Sequence, residues 1–370
     1  MRTVGIEEEL LIVDPVSGMP LPRAAGILDI VGEPPDGPVL KAEFKQEQIE
    51  ANTRPCRTAA ELFADIRSGR AMADAGARAV GSRIAAVATP PLFAATPTSG
   101  NPRYTAMSGR FGLTSHEQIT CGFHIHVSIT SPEEGVGILD RLRVWLPSLL
   151  ALSANSPFWK GSDTGYASYR SQIWNRWPSA GPVDVFGSPA GYNAAVSDLL
   201  ASGVLLDEDM IYFDARVSRT YPTVEIRIAD VCLYAEDAVT LAILARALVE
   251  TSAREWLRGM SPPAASVPQL RMANWLASRS GINGELLHPR SHRPRPAKEV
   301  IDALAEHLGS SLRASGENAS AAAGLERVFQ RGSGERLQRL AYAQSPQLAG
   351  VVGAAISQTH HDDDTVLARG

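Results

Sequence analysis

The sequence predicts an α+β fold, with the strands of a sheet in the first 235 residues and helices in the remainder. Segments with an apolar residue at every second position recur before Ala235, and this period is typical of a half-buried strand. From Ala235 onward the apolar spacing is almost wholly helical, with breaks at Pro262-Pro263 and His288–Pro296.

The predicted strands follow one another along the first part of the chain. The clearest is Cys121–Thr130, because its aliphatic and aromatic residues all fall on one face of an extended segment. The others are Thr3–Val13, Val39–Thr53 (extended or a hairpin), Asp209–Phe213 and Thr223–Ala229.

Two helices and one long loop region separate these strands. Thr58–Gly81 has apolar residues near helical spacing, and Thr58 with Glu61 resembles a capping box. Glu133–Ala154 is predicted to be one long buried helix. The stretch Asn155–Pro189 is rich in Gly, Pro, Ser, Trp and Arg, and long loops of this kind are often lids or binding loops.

The domain organisation is simple, since the chain contains no internal repeat and no clear linker. We expect a single catalytic domain over residues 1–357, with its sheet mostly in 1–235 and a helical part in 236–357. Residues 358–370 are predicted to form a mobile tail.

The composition excludes several classes of protein. With 44% hydrophobic and 20% charged residues the chain is typical of soluble globular proteins, and its net charge of -5 argues against general nucleic-acid binding. The apolar runs Val144–Ala154 and Ala238–Val249 are shorter than the ~20 residues that span a bilayer. Cys56, Cys121 and Cys232 form no CxxC pair. We therefore expect a cytoplasmic protein that binds neither membrane nor nucleic acid.

Acidic and imidazole side chains interrupt these apolar strands on one face. Alternation sends Glu7 and Glu9 to the same side of their strand and Glu8 to the other. His124 and His126 project together, opposite the apolar face of their strand. Each case alone also fits an ordinary interpretation, such as a solvated edge strand, hydrogen-bonded core histidines or a cross-strand salt bridge.

Taken together, the strands predict a metal site. If they share a sheet, its polar face carries Glu7, Glu9, Glu43, Glu50, His124 and Glu225. Such a cluster is too acidic to persist without divalent cations, and mainly oxygen ligands favour Mg²⁺ or Mn²⁺ over zinc. Arginines that could clamp a phosphate or a carboxylate are Arg170, Arg176, Arg216, Arg219 and Arg227. Cys121 has the parity of Phe123 and is expected to point into the core, which disfavours a catalytic thiol.

Five segments, in order, resemble the glutamate–cysteine ligase type 2 or carboxylate–amine ligase family. They are GIEEELLIVDP, EFKQEQIEANT, CGFHIHVSI, ASYRSQIWNRWP and YPTVEIRIAD. The resemblance covers roughly Thr3–Trp256, and the helical C-terminal third is less diagnostic.

This resemblance implies a fold similar to the catalytic domain of glutamine synthetase. Such a fold is a curved antiparallel β-sheet that forms a half-open funnel, with helices packed on its outer side. ATP would bind at one end and the amino-acid substrate at the other. The triphosphate would be held by two or more Mg²⁺ (or Mn²⁺) ions and by arginines, which agrees with the absence of a GxxxxGK loop.

The resemblance also implies individual roles. Glu9, Glu43 and Glu50 would bind one metal ion near the substrate. Glu7, His124 and Glu225 would bind a second ion on the phosphates of ATP. His126 would touch the phosphates without ligating metal, and Arg227 would face the transferring phosphoryl group. Arg176 and Arg219 are further candidates for ATP binding because of their positions in the sequence, in the loop-rich stretch and near the last strand. Arg170 and Arg216 would contact substrate or phosphate. Lys45 and Glu47 receive no role.

The implied reaction is amide formation through an acyl-phosphate. A substrate carboxylate, by default that of glutamate, would attack the γ-phosphorus of ATP, and an amine, by default cysteine, would then displace phosphate. Two alternatives remain open at this point, namely a two-metal phosphohydrolase and a nucleotide-binding relative without turnover. The amine, the base that deprotonates it and any homo-oligomeric state are left open.

Overall fold

The computed structural model describes residues 1–32, 34–93 and 101–361. Its strands are β1 (Val4–Val13), β2 (Val39–Ala42), β3 (Gln48–Asn52), β4 (Arg83–Ala85), β5 (Gly122–Ser128), β6 (Phe158–Trp159), β7 (Ser162–Asp163), β8 (Ala215–Val217), β9 (Thr223–Asp230), β10 (Glu285–Leu287) and β11 (Pro294–Pro296).

The helices of these residues lie both before and after β9, and those after it account for most of that part of the chain. They are α1 (Ala24–Val31), α2 (Ala59–Ala79), α3 (Pro102–Phe111), α4 (Leu113–His116), α5 (Pro132–Leu142), α6 (Leu146–Ser153), α7 (Tyr169–Trp174), α8 (Pro189–Ala201), α9 (Ala235–Leu257), α10 (Val267–Ser280), α11 (Ala297–Ser315), α12 (Asn318–Arg331), α13 (Gly334–Gln344) and α14 (Leu348–Thr359). Short 3-10 helices occur at Glu208–Met210 and Gly281–Asn283.

The main sheet is antiparallel and open. Its strands run in the order β2-β3-β1-β5-β9-β8, with β4 paired to the end of β1. Within the described ranges β2 and β8 are the two ends of this order, so the sheet does not close into a barrel. The predicted α+β class with an antiparallel sheet is therefore confirmed.

The apolar face of the sheet packs against helices. Phe123, Ile125 and Ile226 are fully buried in one cluster with side chains of α5, α6, α9 and α11. At about 25 cal/mol per Å² of apolar surface, this burial is a major stabilising contribution, and it leaves the opposite face free for polar side chains.

Several local predictions are confirmed. The Val39–Thr53 segment is the β2–β3 hairpin, and the turn between Ala42 and Gln48 allows Glu43 and Glu50 to meet despite their opposite parity. Thr58 and Glu61 form the predicted capping box at the start of α2.

Two predicted elements are wrong in detail. Glu133–Ala154 is not one helix, because Pro147 lacks a backbone N–H and the segment divides into α5 and α6. Asp209–Phe213 is not a strand but contains the Glu208–Met210 3-10 helix, and the strand beside β9 is β8. The aromatic side chain of Tyr212 packs on Trp174. The apolar residues of this segment therefore contribute to an aromatic cluster and not to a strand of the sheet.

The start of the predicted tail is also different. Gln358 and Thr359 end α14, and the Thr359 hydroxyl accepts a hydrogen bond from the Ala86 amide at 3.0 Å. The buried His360 lies 3.0 Å from the Ile84 carbonyl oxygen. These contacts pack the segment through His360 against β4; residues 362–370 lie outside the described residues. No helix in the described ranges combines the length and the apolar character needed to cross a bilayer.

A buried ion pair joins β1 to α2 on the side away from the cavity. The Arg70 guanidinium donates to both carboxylate oxygens of Glu8 at 2.7 and 3.0 Å, and also to the Cys232 and Leu233 carbonyls at 2.6 and 2.8 Å. Both side chains are 1% exposed. The pair thus ties together β1, α2 and the connection between β9 and α9.

We expect Arg70→Met to lower the free energy of unfolding by about 3–5 kcal/mol, because it leaves the Glu8 charge buried without a partner. The matched control is Arg78→Met, since Arg78 is half exposed and pairs with Asp74, and the expected change there is below about 1 kcal/mol. Urea unfolding of both variants measures the difference. A loss below about 1 kcal/mol for Arg70→Met would contradict the assigned role.

Candidate active site

A cavity of about 430 Å³ lies against the polar face of the sheet. This volume falls within the range of about 300–1,000 Å³ that is usual for small-molecule sites. The metal ligands predicted from the sequence all line it, namely Glu7, Glu9, Glu43, Glu50, His124 and Glu225.

The strand register explains why these residues meet. Glu9 pairs with Glu50 across β1 and β3, and Glu7 pairs with His124 across β1 and β5. Glu225 pairs with His126 across β9 and β5. Directly opposed residues on one face have Cβ atoms about 4.5–5.5 Å apart, so the pairs form one continuous polar surface.

Two groups of ligand atoms have the separation expected around a cation. One oxygen or nitrogen from each of Glu7, His124 and Glu225 lies within 4.8 Å of the others. Glu9, Glu50 and His124 form a second group by the same measure. A neutral imidazole has one lone pair, so His124 can ligate in only one group.

The second group differs from the ligand set that the resemblance implies, because it contains His124 and not Glu43. Glu43 is not in the second group, although it lines the cavity and hydrogen-bonds with Glu50. Its carboxylate also accepts a hydrogen bond from the Phe44 amide at 3.0 Å. Glu43 therefore stands at the edge of the second group.

Burial of several carboxylates close together raises the pKa values of the second group and of the neighbouring Glu43. Burial and repulsion from Glu9 raise the pKa of Glu43 to about 7. Burial and repulsion from Glu7 raise the pKa of Glu50 well above its ordinary value. Burial also raises the pKa of Glu9, although Arg170 and the Gly122 amide, at 2.5 Å, oppose this. These shifts favour the protonated forms of the carboxylates, and a bound cation would favour the ionised forms instead.

The first group is held in the ionised form by cationic neighbours. Burial opposes ionisation of Glu7, but hydrogen bonds from His124 and His126 lower its pKa below the ordinary value. Burial likewise opposes ionisation of Glu225, and Arg227 and Arg216 lower its pKa to about 2. Burial and Arg227 lower the pKa of His124 to about 4, so its imidazole is neutral and able to ligate.

The residues present fit divalent cations. Within the part of the chain that the structure describes, the Nε2 atom of His124 is buried without a hydrogen-bond partner, 3.8 Å from Glu9. The remaining candidate donors are carboxylate oxygens, which Mg²⁺ and Mn²⁺ prefer. A cation would satisfy this orphaned nitrogen and reduce the repulsion among the glutamates at the same time.

Two of the predicted arginines line the cavity. Arg216 donates to both oxygens of Glu225, at 2.6 and 3.2 Å. Arg227 donates to the same carboxylate, and its Nε atom is buried without an acceptor among the described residues. Although burial alone would lower the pKa of Arg227, Glu225 raises it, so the guanidinium stays charged. His126 also lines the cavity and lies 3.0 Å from the Thr223 hydroxyl.

The other three arginines do not line this cavity. Arg176 pairs with Glu117 at 2.5 Å, and Arg219 pairs with Asp209 at 3.2 Å. Arg170 is fully buried beside Gly122 and donates to the Arg227 and Ile228 carbonyls at 3.3 and 3.2 Å. Arg170 thus supports the backbone beside Arg227, and its contact with substrate stays a prediction.

A glycine makes room for this buried arginine. Any side chain at Gly122 would collide with the Arg170 guanidinium and crowd the His124 ring. The neighbouring Cys121 is buried, and burial together with Glu9 raises the pKa of its thiol well above the ordinary value. Cys121 is therefore a protonated core residue, as its parity predicted.

Aromatic residues complete the cavity, and the sequence analysis did not identify most of them. Phe44 and Tyr104 make an edge contact at 5.1 Å between ring centres, and Trp174 packs on Tyr212 at 4.7 Å. The signal that could have found α3 is its Pro at the start of a helical pattern, with Tyr104 and Met107 three residues apart.

The chain belongs to the glutamate–cysteine ligase family 2 (GCS2), whose model matches residues 3–360. A Paenarthrobacter aurescens TC1 protein, provisionally named glutamate–cysteine ligase 2-1, is 63% identical over 98% of this chain and 96% of its own. A Streptomyces coelicolor protein, provisionally named glutamate–cysteine ligase 2, is 48% identical over 97% and 99%. The protein is therefore an ATP-dependent carbon–nitrogen ligase by class.

Solved structures share the fold at low sequence identity. Glutamate–cysteine ligase from Francisella tularensis, in complex with AMP, superposes with a TM-score of 0.66 at 13% identity, over 100% of this chain and 95% of that one. A bifunctional glutathione synthetase from Pasteurella multocida gives 0.69 at 16% identity, over 97% of this chain and 53% of that one. These likenesses support the predicted glutamine synthetase-like fold class.

Proton competition at the second group predicts a pH-dependent effect of metal on stability. Stability contributed by protonated Glu43 is fully present below its ordinary pKa of 4.5 and is lost as the pH rises through about 7. Mg²⁺ binds the deprotonated form, so it should raise the melting temperature more at about pH 8 than at about pH 6.

Thermal unfolding with and without Mg²⁺ at the two pH values measures this difference. Glu43→Gln should reduce it, because the variant has no proton to displace at that position. An equal effect of Mg²⁺ at both pH values in the unmodified protein would contradict the proposed competition.

Proposed function

We propose that this member of the glutamate–cysteine ligase family 2 joins the γ-carboxylate of glutamate to an amine through an acyl-phosphate, with Mg-ATP as the phosphoryl donor. The observation that carries the proposal is the pair of overlapping acidic groups around His124, beside the two arginines held by Glu225. The family membership favours this ligase chemistry over the phosphohydrolase alternative.

Divalent cations bound at the two groups would neutralise the carboxylates and polarise the phosphate oxygens of ATP. The six residues proposed to hold them are those implied by the resemblance: Glu9, Glu43 and Glu50 for one ion, and Glu7, His124 and Glu225 for the other. The close grouping of Glu7, His124 and Glu225 supports their assignment to one ion. Glu43 lies outside both close groups but hydrogen-bonds with Glu50, which supports its placement beside the other ion.

Arg227 and Arg216 would offset the repulsion between the attacking carboxylate and the γ-phosphoryl group. Both guanidinium groups are fixed by Glu225, so little reorganisation is needed when charge develops in the transition state. The unpaired Nε–H of Arg227 is a donor available to a phosphoryl oxygen. His126, anchored by Thr223, would donate a further hydrogen bond to phosphate.

The acyl-phosphate must be kept from water until the amine arrives. Trp174 and Trp177, from the loop-rich stretch that we predicted to act as a lid, form one wall of the cavity with Tyr212. These side chains bury the site and restrict the entry of water, which would otherwise hydrolyse the intermediate.

Cysteine is the first candidate amine, because the named relatives carry it in their provisional titles. We further propose a cytoplasmic location, since the three cysteines are buried and unpaired, as is usual in a reducing compartment.

The direct test is to incubate the enzyme with Mg-ATP, glutamate and a panel of amines that includes cysteine. We expect ADP and phosphate release to require both glutamate and an amine, with one amide formed for each ATP consumed. Mass spectrometry identifies the amide. Amine-independent phosphate release would support the phosphohydrolase instead, and no release with any pair would indicate a relative without turnover.

Replacement of Glu50 or Glu225 by Gln should lower turnover by at least about a hundredfold, because each variant keeps the side-chain volume but removes a charge that holds a cation. The control is Glu285→Gln, at an exposed position in β10, which should keep full activity. Circular dichroism and melting temperatures verify the fold. Near-normal turnover in both cavity variants would rule out the metal assignment.

A further inference from the structure

The positively charged side chains that line the cavity differ in whether each is already paired with a carboxylate of the protein. Arg103 donates to both oxygens of Asp207 at 2.5 and 2.7 Å. Arg216 and Arg227 are both paired with Glu225. Lys41 also lines the cavity but has no carboxylate partner among the described residues. Residues 94–100, which are not described, contain neither lysine nor arginine.

Lys41 stands in line with the second acidic group. It lies on β2 directly opposite Glu50 of β3, and Glu50 is in turn directly opposite Glu9 of β1. Lys41, Glu50 and Glu9 therefore form one row across three strands, on the face that lines the cavity. Neighbouring strands are about 4.8 Å apart, so the row places a cation about one strand spacing beyond the acidic group.

This spacing matches a substrate with two carboxylates. Glutamate carries its α-carboxylate three carbon atoms away from the γ-carboxylate that reacts, a separation close to one strand spacing of about 4.8 Å. If the γ-carboxylate reacts at the acidic group, the α-carboxylate can extend by about one strand spacing toward Lys41, the next residue of the row. An α-carboxylate at that end of the row without a cationic partner would lie beside the ionisable carboxylates of the acidic group, which would repel it.

We propose that Lys41 binds the α-carboxylate of glutamate and so selects an acid substrate that carries a second, non-reacting carboxylate. This inference rests on the proposed ligase function and specifies its acid substrate. An exposed lysine on an edge strand also discourages pairing with another sheet. That second role predicts no effect on glutamate binding, so binding measurements separate the two.

The test compares glutamate with 4-aminobutyrate, which differs only by lacking the α-carboxylate. Calorimetry measures the dissociation constant of each for the enzyme with Mg²⁺ and a non-hydrolysable ATP analogue. We expect Lys41→Met to weaken glutamate binding by about tenfold or more, the usual loss of a charge-assisted contact, and 4-aminobutyrate binding by less than about twofold. Lys41→Arg should keep most of the glutamate affinity.

Lys298→Met is the matched control, because Lys298 is an exposed lysine on α11 that pairs with Asp302 in the next helical turn and does not line the cavity. It should change neither dissociation constant, and the affinity of Lys41→Met for the ATP analogue should equal that of the unmodified enzyme.

Unchanged glutamate affinity in Lys41→Met, or an equal loss for both ligands, would overturn the inference. Where 4-aminobutyrate binds too weakly to measure, the glutamate and nucleotide affinities alone decide. If the unmodified enzyme forms no amide from glutamate and any amine, the proposed function fails first. An active ligase whose Lys41→Met variant keeps its KM for glutamate refutes only the role of Lys41.

Discussion

One constraint governs the cavity, namely the electrostatic repulsion among the glutamates that one face of an antiparallel sheet brings together. Their register places Glu9 against Glu50 and Glu7 beside His124, at separations where buried like charges cannot all be ionised. The helices that cover the opposite face stabilise the fold against this repulsion, because their apolar contacts form whether or not the cavity holds a cation. A divalent cation would relieve the repulsion among these glutamates. The carboxylates that bind the cation are therefore the same ones that would hold it for catalysis.

Charge is distributed across the cavity in a way that suits phosphoryl transfer. Burial and repulsion from Glu9 raise the pKa of Glu43, whereas Arg227 and Arg216 oppose the effect of burial on Glu225 and lower its pKa. A cation that binds Glu225 would share its oxygens with these arginines, and the unpaired Nε–H of Arg227 would stay available to phosphate. Metal binding and the availability of the guanidinium groups are therefore coupled through this one carboxylate.

Alternation along single strands predicted that Glu7 shares a face with Glu9, and His124 with His126, since a period of two depends only on local geometry. It did not predict that Glu43 and Glu50 meet, which depends on the turn between β2 and β3. Long-range pairing was not predictable in this way. The arginines illustrate this limit. Arg176 pairs with Glu117 and Arg219 pairs with Asp209, and nothing in the sequence pattern indicates these pairings. Residues of α3 escaped notice since a helix beside a site has the same pattern as one beside a core.

The most direct measurement is anomalous X-ray scattering from crystals grown with Mn²⁺ and a non-hydrolysable ATP analogue. We predict peaks within about 2.5 Å of the carboxylate oxygens at two positions, one beside Glu7 and Glu225 and the other beside Glu9 and Glu50. Crystals that contain the nucleotide but show no manganese near either pair of carboxylates would contradict the central claim that this acidic face is a metal centre.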